Sequence, residues 1–191
     1  MSAFVPEVAP LSRADIEQEA TAITQRCYPH LLTSPGAFPI VRFFEFILPD
    51  MFDLETGVCD LGDDIEGMAF PDGRVFVSEE TYRAACRNDG RPRMTMAHES
   101  YHGIRHCSQL KTQLVHTGGL VLYRRPSIPA YRDPEWQANV FASALLMPAV
   151  AIRKIVEAGN LATWERATVI ASQFQVSLKA AEVRLKTLKL L

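Results

Sequence analysis

Several features that would assign this chain to a class at once are missing. No apolar run is long enough to span a bilayer. Residues 1–10 lack the basic and apolar regions of a secretory signal. The four cysteines, Cys27, Cys59, Cys86 and Cys107, stand without CxxC spacing, so neither a disulfide framework nor a cysteine zinc site is indicated, and they read as reduced thiols. An excess of positive charge is also missing: the net charge is −2, which provides no global drive toward nucleic acid. No internal repeat occurs. The absences describe a cytoplasmic protein without membrane segments. With 48% hydrophobic residues in 191, the chain can build a sizeable core. The expected organisation is one domain over 1–150 and a C-terminal helical extension over 151–191 packed on it.

What the chain does have is His98-Glu99-Ser100-Tyr101-His102. On an α-helix, four residues advance about 6 Å and overshoot one turn by roughly 40°. Both imidazoles then project from one face and can share a tetrahedral Zn²⁺, with Glu99 beside them as general base. Chance alone produces such a short motif in roughly 1 of 100 chains of this composition. The surroundings strengthen the match. Met94 to Ile104 carries apolar residues at helical spacing without an internal proline, and Asn88, Gly90 and Pro92 punctuate the chain just upstream.

A catalytic zinc usually takes a third protein ligand. His106 continues the stripe but stands about 12 Å along the axis from His98, too far to share the metal, and reads as a helix-end or surface histidine. His116 precedes Gly118-Gly119 and reads as a loop residue. Asp133 and Glu135 are further candidates; Glu135 opens a strong helical segment, Glu135 to Pro148, behind Asp133-Pro134, and Pro134 suits its start. Glu135, Ala138, Asn139 and Ala142 fall on one face of small and polar residues. A carboxylate there could reach a metal on a neighbouring helix; alternatively it complements the helix dipole.

The two blocks Met94-Thr95-Met96-Ala97-His98-Glu99-x-x-His102 and Glu135-x-x-Ala138-Asn139-x-Phe141-Ala142-x-x-Leu145-Leu146-Met147-Pro148 resemble the ImmA/IrrE family of zinc metallopeptidases over about residues 60–150. The resemblance implies His98, His102 and Glu135 as zinc ligands and Glu99 as catalytic base. It implies a small zincin-like domain, and as partners helix-turn-helix repressors or other regulators that such proteins cleave or help remove. Two positions depart from the pattern: Ser100-Tyr101 stands where Leu-Gly is usual, and Gln137 where an acidic residue is frequent.

The expected fold class is therefore α+β: a zincin-like domain with a small antiparallel sheet, the HExxH helix, a second ligand helix and a C-terminal helical hairpin. Ser12 to Cys27 reads as a capped helix. Val41 to Leu48 suits a strand or a helix. Ile65–Phe70 and Arg74–Ser78 flank Pro71-Asp72-Gly73 and read as an antiparallel hairpin. A short helix follows from about Glu79 to Cys86, and Leu120–Tyr123 is a further candidate strand. By analogy with zincins, the hairpin is the candidate edge for an added substrate strand. His116, Tyr123, Arg124, Arg125 and Tyr131 are available as oxyanion partners, and the sequence does not choose among them.

Leu161–Gln173 and Leu178–Leu190 are two helical patterns, the second capped by Ser177 and carrying Lys179, Arg184, Lys186 and Lys189. They suit packing or partner docking better than reading DNA, because the net charge is low and the recognition face incomplete. Three functions thus compete: a zinc endopeptidase acting on a protein, a non-proteolytic metal-binding regulatory module, and a DNA-binding regulator using the C-terminal helices. An intact Glu99 favours the first.

Overall fold

Ser12 starts the first helix. Its hydroxyl accepts from the Asp15 N–H at 3.2 Å, and the Asp15 carboxylate accepts from the Ser12 N–H at 2.9 Å. This reciprocal cap opens α1 (Arg13–Cys27), which buries Ile16, Ala20 and Ile23. The computed structural model of the chain describes residues 7–116, 128–159 and 161–191.

The ambiguous segment after Pro39 is helical. It runs from α2 (Ile40–Arg42) through a π turn (Phe43–Ile47) into α3 (Leu48–Phe52). Ile40, Phe43, Phe44 and Leu48 are all buried, at steps of three and four residues that only a helix turns to one side. Asp53, at φ 53°, ends it in the left-handed region.

The sheet has three strands, β1 (Glu55–Val58), β2 (Gly67–Ala69) and β3 (Arg74–Val77), in the order β1-β3-β2. The expected antiparallel hairpin is β2–β3. Gly73 takes φ 96° in its turn, and the Asp72 carboxylate accepts from the Arg74 N–H at 3.2 Å. β1 joins β3 in parallel, which makes the sheet mixed rather than antiparallel throughout. Leu120–Tyr123 lies outside the described residues. On the hairpin, Ser78 N–H donates to the Glu66 carbonyl at 3.0 Å and Phe70 N–H to the Arg74 carbonyl at 2.7 Å. Bonded residues alternate along an antiparallel strand. Gly67 and Ala69 therefore turn their N–H and C=O away from β3, to the open edge of β2.

The remaining helices are α4 (Glu79–Cys86), α5 (Gly90–Tyr101), α6 (Cys107–His116), α7 (Pro134–Leu146), α8 (Ala149–Ala158), α9 (Thr163–Phe174) and α10 (Leu178–Thr187). A π turn, His102–His106, continues α5 into α6. Helix α7 packs against both α1 and α5. Its Ala138, Phe141, Ala142 and Leu145 share one core with Val75 and Val77 of β3, Met96 and Ala97 of α5, and Ile170, Phe174, Ala181 and Leu185 of the last two helices. No single described helix is long and apolar enough to cross a membrane.

Two buried arginines tie the C-terminal pair to the rest. Arg93 of α5 donates to the Gln175 and Phe38 carbonyls at 3.0 and 2.8 Å. A side chain on Gly90 would come within 2.3 Å of the Ser177 nitrogen, so the turn before α10 rests directly on the start of α5. Arg184, which with Lys179, Lys186 and Lys189 makes the C-terminal segment basic, is 1% exposed. It donates to the Met147 carbonyl at 3.1 Å and to the Glu17 carboxylate at 2.7 Å. Removing one partner of a buried ion pair strands the other's charge, at about 3–5 kcal/mol. Glu17 keeps 23% side-chain exposure, so the low end applies. Arg184→Ala is expected to lower the unfolding free energy by about 3 kcal/mol, read as an earlier urea midpoint; an unchanged midpoint would show that the pair does not hold α10 in place.

Candidate metal centre

Helix α5 begins after Asp89 and carries Pro92 in its first turn, where a missing N–H costs nothing. Thr95 donates from its hydroxyl to Glu66 at 2.9 Å, which holds the helix beside the segment entering β2. One turn further on, His98 and Glu99 face β2, and His102 follows at the start of the π turn. Helix α7 opens with Pro134 at its first position, and the Asp133 carboxylate caps it by accepting from the Glu135 N–H at 2.9 Å. That cap places Glu135 in the first turn, opposite the two histidines.

Three candidate ligand side chains meet there. His98 Nε2 and His102 Nε2 are 2.9 Å apart, Glu135 Oε2 is 3.2 Å from His98 Nε2, and Glu135 Oε1 is 3.4 Å from His102 Nε2. The group could hold a metal ion. Tetrahedral zinc with bonds of about 2.0–2.1 Å separates its ligand atoms by about 3.3–3.4 Å; the two spacings from Glu135 lie close to that, and the spacing between the histidines is shorter. The other ring nitrogens have partners of their own: His98 Nδ1 is 3.2 Å from Asn139 Oδ1, and His102 Nδ1 is 3.0 Å from His106 Nδ1. Asn139 stands one turn after Glu135, so a single face of α7 carries both the carboxylate and the residue that orients His98.

With the protein groups alone, the electrostatics are uneven. Burial holds His102 near a pKa of about 3, helped by the neighbouring His98 and His106, so its ring is neutral and suited to ligation. Burial works against the charged form of His98, but Glu135, Glu99 and Asn139 together outweigh it and raise its pKa. The hydrogen bond with His98 is the main cause that lowers Glu135 and keeps it a carboxylate. Burial pushes the Glu99 carboxyl up to about 7, against the opposing pull of His98.

Glu99 lies between two cavities. One, of about 470 Å³, is lined by Ile65, Glu66, Gly67, Thr95, His98 and Glu99; the other, of about 280 Å³, by Gly67, Ala69, His98, Glu99, His102 and Glu135. Both run along β2. A Cβ on Gly67 would stand 2.6 Å from Glu99 Cγ, so the glycine is what lets the carboxylate lie flat against the strand.

The structure brings together His98, Glu99, His102 and Glu135. His106 is not a surface histidine: it is fully buried, with Nε2 3.0 Å from Gln137 Oε1. The π turn carries it under His102 instead of out to a helix end. Tyr101 is also buried, stacked on Phe141 with ring centroids 4.3 Å apart and donating its hydroxyl to Glu19 at 2.9 Å, so the bulky residue fills the junction of α1, α5 and α7. Cys107 is buried and its thiol is pushed up to about 11, which makes it inert. Tyr131 is half exposed and lines neither cavity. The His116 side chain, Tyr123, Arg124 and Arg125 lie outside the described residues. Sequence reasoning missed the roles of Asn139 and Gln137. For Asn139 the signal was present, since it follows Glu135 at i+4 on the same face.

A family model for the IrrE N-terminal-like domain, of peptidase family M78, matches residues 84–186. A solved structure of a Mycobacterium tuberculosis transcriptional regulator is similar in fold, with a TM-score of 0.57 at 15% sequence identity; the likeness covers 91% of this chain and 46% of that one. This chain thus spans less than half the length of that regulator. A search of curated proteins gave no match.

The purified protein is expected to contain close to one zinc per chain after zinc-replete expression, and His98→Ala to lose it. Elemental analysis measures both; a zinc-free wild type, or full retention in Glu135→Ala, would contradict the ligand set.

Proposed function

The chain belongs to the IrrE N-terminal-like family of peptidases, and on that premise we propose that it is a zinc-dependent endopeptidase hydrolysing a peptide bond in a protein partner, a helix-turn-helix repressor or another transcriptional regulator. One observation carries the reading. Two imidazole nitrogens and a carboxylate converge within hydrogen-bond distances, and a half-buried Glu99 lies beside them under the open edge of a strand.

His98 and His102, through Nε2, and Glu135 would hold the metal. Zn²⁺ bound there supplies Lewis acidity, which acidifies a water and polarises a carbonyl. Glu99 takes a proton from the attacking water on a carboxylate oxygen and returns it to the departing amine nitrogen. A carboxylate lying beside the two histidines is placed for both halves of that exchange. Gly67 and Ala69 offer backbone N–H and C=O groups at the free edge of β2, where an extended substrate can add as a further strand. The two cavities along β2 then receive side chains on either side of the cleaved bond.

The peptidase family supports the hydrolytic reading over a purely metal-binding module. A DNA-reading α10 is disfavoured because Arg184, one of its three basic residues, is engaged with Glu17 in the interior. The regulator as substrate class draws support from the resemblance to the ImmA/IrrE family.

Glu99→Gln is expected to keep zinc and fold while losing proteolysis by at least about 10²-fold, the scale of removing a general base. The measurement is cleavage of a co-expressed repressor by wild type and variant at equal zinc content. Undiminished cleavage by the variant would sink the mechanism; equal regulation by both without any cleavage would favour the non-proteolytic module.

A further inference from the structure

Gln137 and His106 form a buried chain behind His102 that the hydrolytic chemistry does not touch. Both are fully buried. The Gln137 amide is held at three points: Nε2 lies 2.9 Å from the Ala9 carbonyl and 2.8 Å from the Tyr131 carbonyl, and Oε1 lies 3.0 Å from His106 Nε2. Carbonyl oxygens only accept, so the atom facing two of them must be the NH₂ group, and the atom facing His106 must be the oxygen. An amide oxygen in turn only accepts, so His106 carries its proton on Nε2. In a neutral ring this leaves His106 Nδ1 bare. That bare nitrogen is 3.0 Å from His102 Nδ1, and the contact is a hydrogen bond only if His102 Nδ1 carries the proton. His102 Nε2 is then a lone pair, and it is the nitrogen that faces His98 and Glu135.

We infer that His106 and Gln137 are positioning residues that lock His102 in its Nδ1–H tautomer and aim Nε2 at the metal. The inference rests on the reading of His102 as a ligand. Metal-bound histidines commonly donate their other ring nitrogen to a carboxylate, carbonyl or water; here the acceptor is a second imidazole, itself fixed by an amide. The chain starts from two main-chain carbonyls, in the N-terminal segment at Ala9 and in the turn before α7 at Tyr131. Those two segments are also joined by the Leu11 N–H donating to the Tyr131 carbonyl at 2.9 Å. The orientation of a ligand on α5 is thereby set by backbone from two other parts of the fold.

The π turn makes this geometry available. A regular helix would continue the stripe outward from His102. In the wider turn, Cys107 N–H donates to the His102 carbonyl, and His106 lies against His102 with ring centroids 4.9 Å apart.

Two measurements test the assignment on the full zinc-loaded chain. Long-range ¹H–¹⁵N spectra should show His106 protonated on Nε2 only, with a through-hydrogen-bond coupling between the Nδ1 nitrogens of His102 and His106. Zinc affinity, from chelator competition, should fall roughly 10- to 100-fold in His106→Leu. His106→Asn, whose Oδ1 can replace the bare Nδ1, should recover most of it. A His106 ring protonated on Nδ1, or wild-type affinity in His106→Leu, would overturn the inference while leaving the ligand set intact. A wild type that binds no zinc would remove the ligand set and the inference together. The spectra need no variant, so they decide the question even if His106→Leu does not fold.

Discussion

Helices α5 and α7 must lie close enough for a carboxylate on one to meet two imidazoles on the other, and most of the fold follows from that approach. Small residues make it possible: Ala97 on α5 and Ala138 and Ala142 on α7 are fully buried in the shared core. At the far end of α5 the stack of Tyr101 on Phe141 holds the two helices together, and Tyr101 is anchored to α1 through Glu19. At the near end Arg93 and Gly90 seat α5 against the turn between α9 and α10. Two imidazole nitrogens 2.9 Å apart, with carboxylate oxygens beside them, favour a cation or a shared proton among them.

The same constraint explains the polar groups in the interior. An unpaired buried polar atom is costly, yet His106, Gln137, Arg93 and Arg184 are all buried. Each is satisfied by main-chain carbonyls or by a partner from a distant element. These contacts cross between segments far apart in the chain, as Gln137 does to Ala9 and Arg184 to Glu17. They favour one arrangement of the helices, and so one position of Glu135 relative to His98 and His102.

Much of this was legible in the sequence wherever a local period or cap controls the outcome. Ser12 and Ser177 announce their helices, and Pro71-Asp72-Gly73 announces the hairpin. The spacing of His98 and His102 and the acidic start of α7 identify the site. What escaped depends on tertiary partners. β1 is four residues long, contains Gly57 and has no alternating pattern; it exists because β3 offers it an edge. The Val41–Leu48 segment has strand-like composition, and only its buried spacing reveals a helix. His106 and Arg184 look like surface residues because charged and titratable side chains ordinarily are. Their burial depends on Gln137 and Glu17, about 30 and 170 residues away. His106 is not in the group of His98, His102 and Glu135; the π turn, which places it behind His102, left no mark in the local pattern.

The central claim is that two imidazoles from α5 and its π turn and one carboxylate from α7 share a single metal. X-ray absorption at the zinc edge of the loaded protein addresses it most directly. The account predicts a four-coordinate, sulfur-free site, with two imidazole nitrogens and oxygen donors at about 2.0–2.1 Å. Scattering from sulfur, or from a single imidazole, would contradict it.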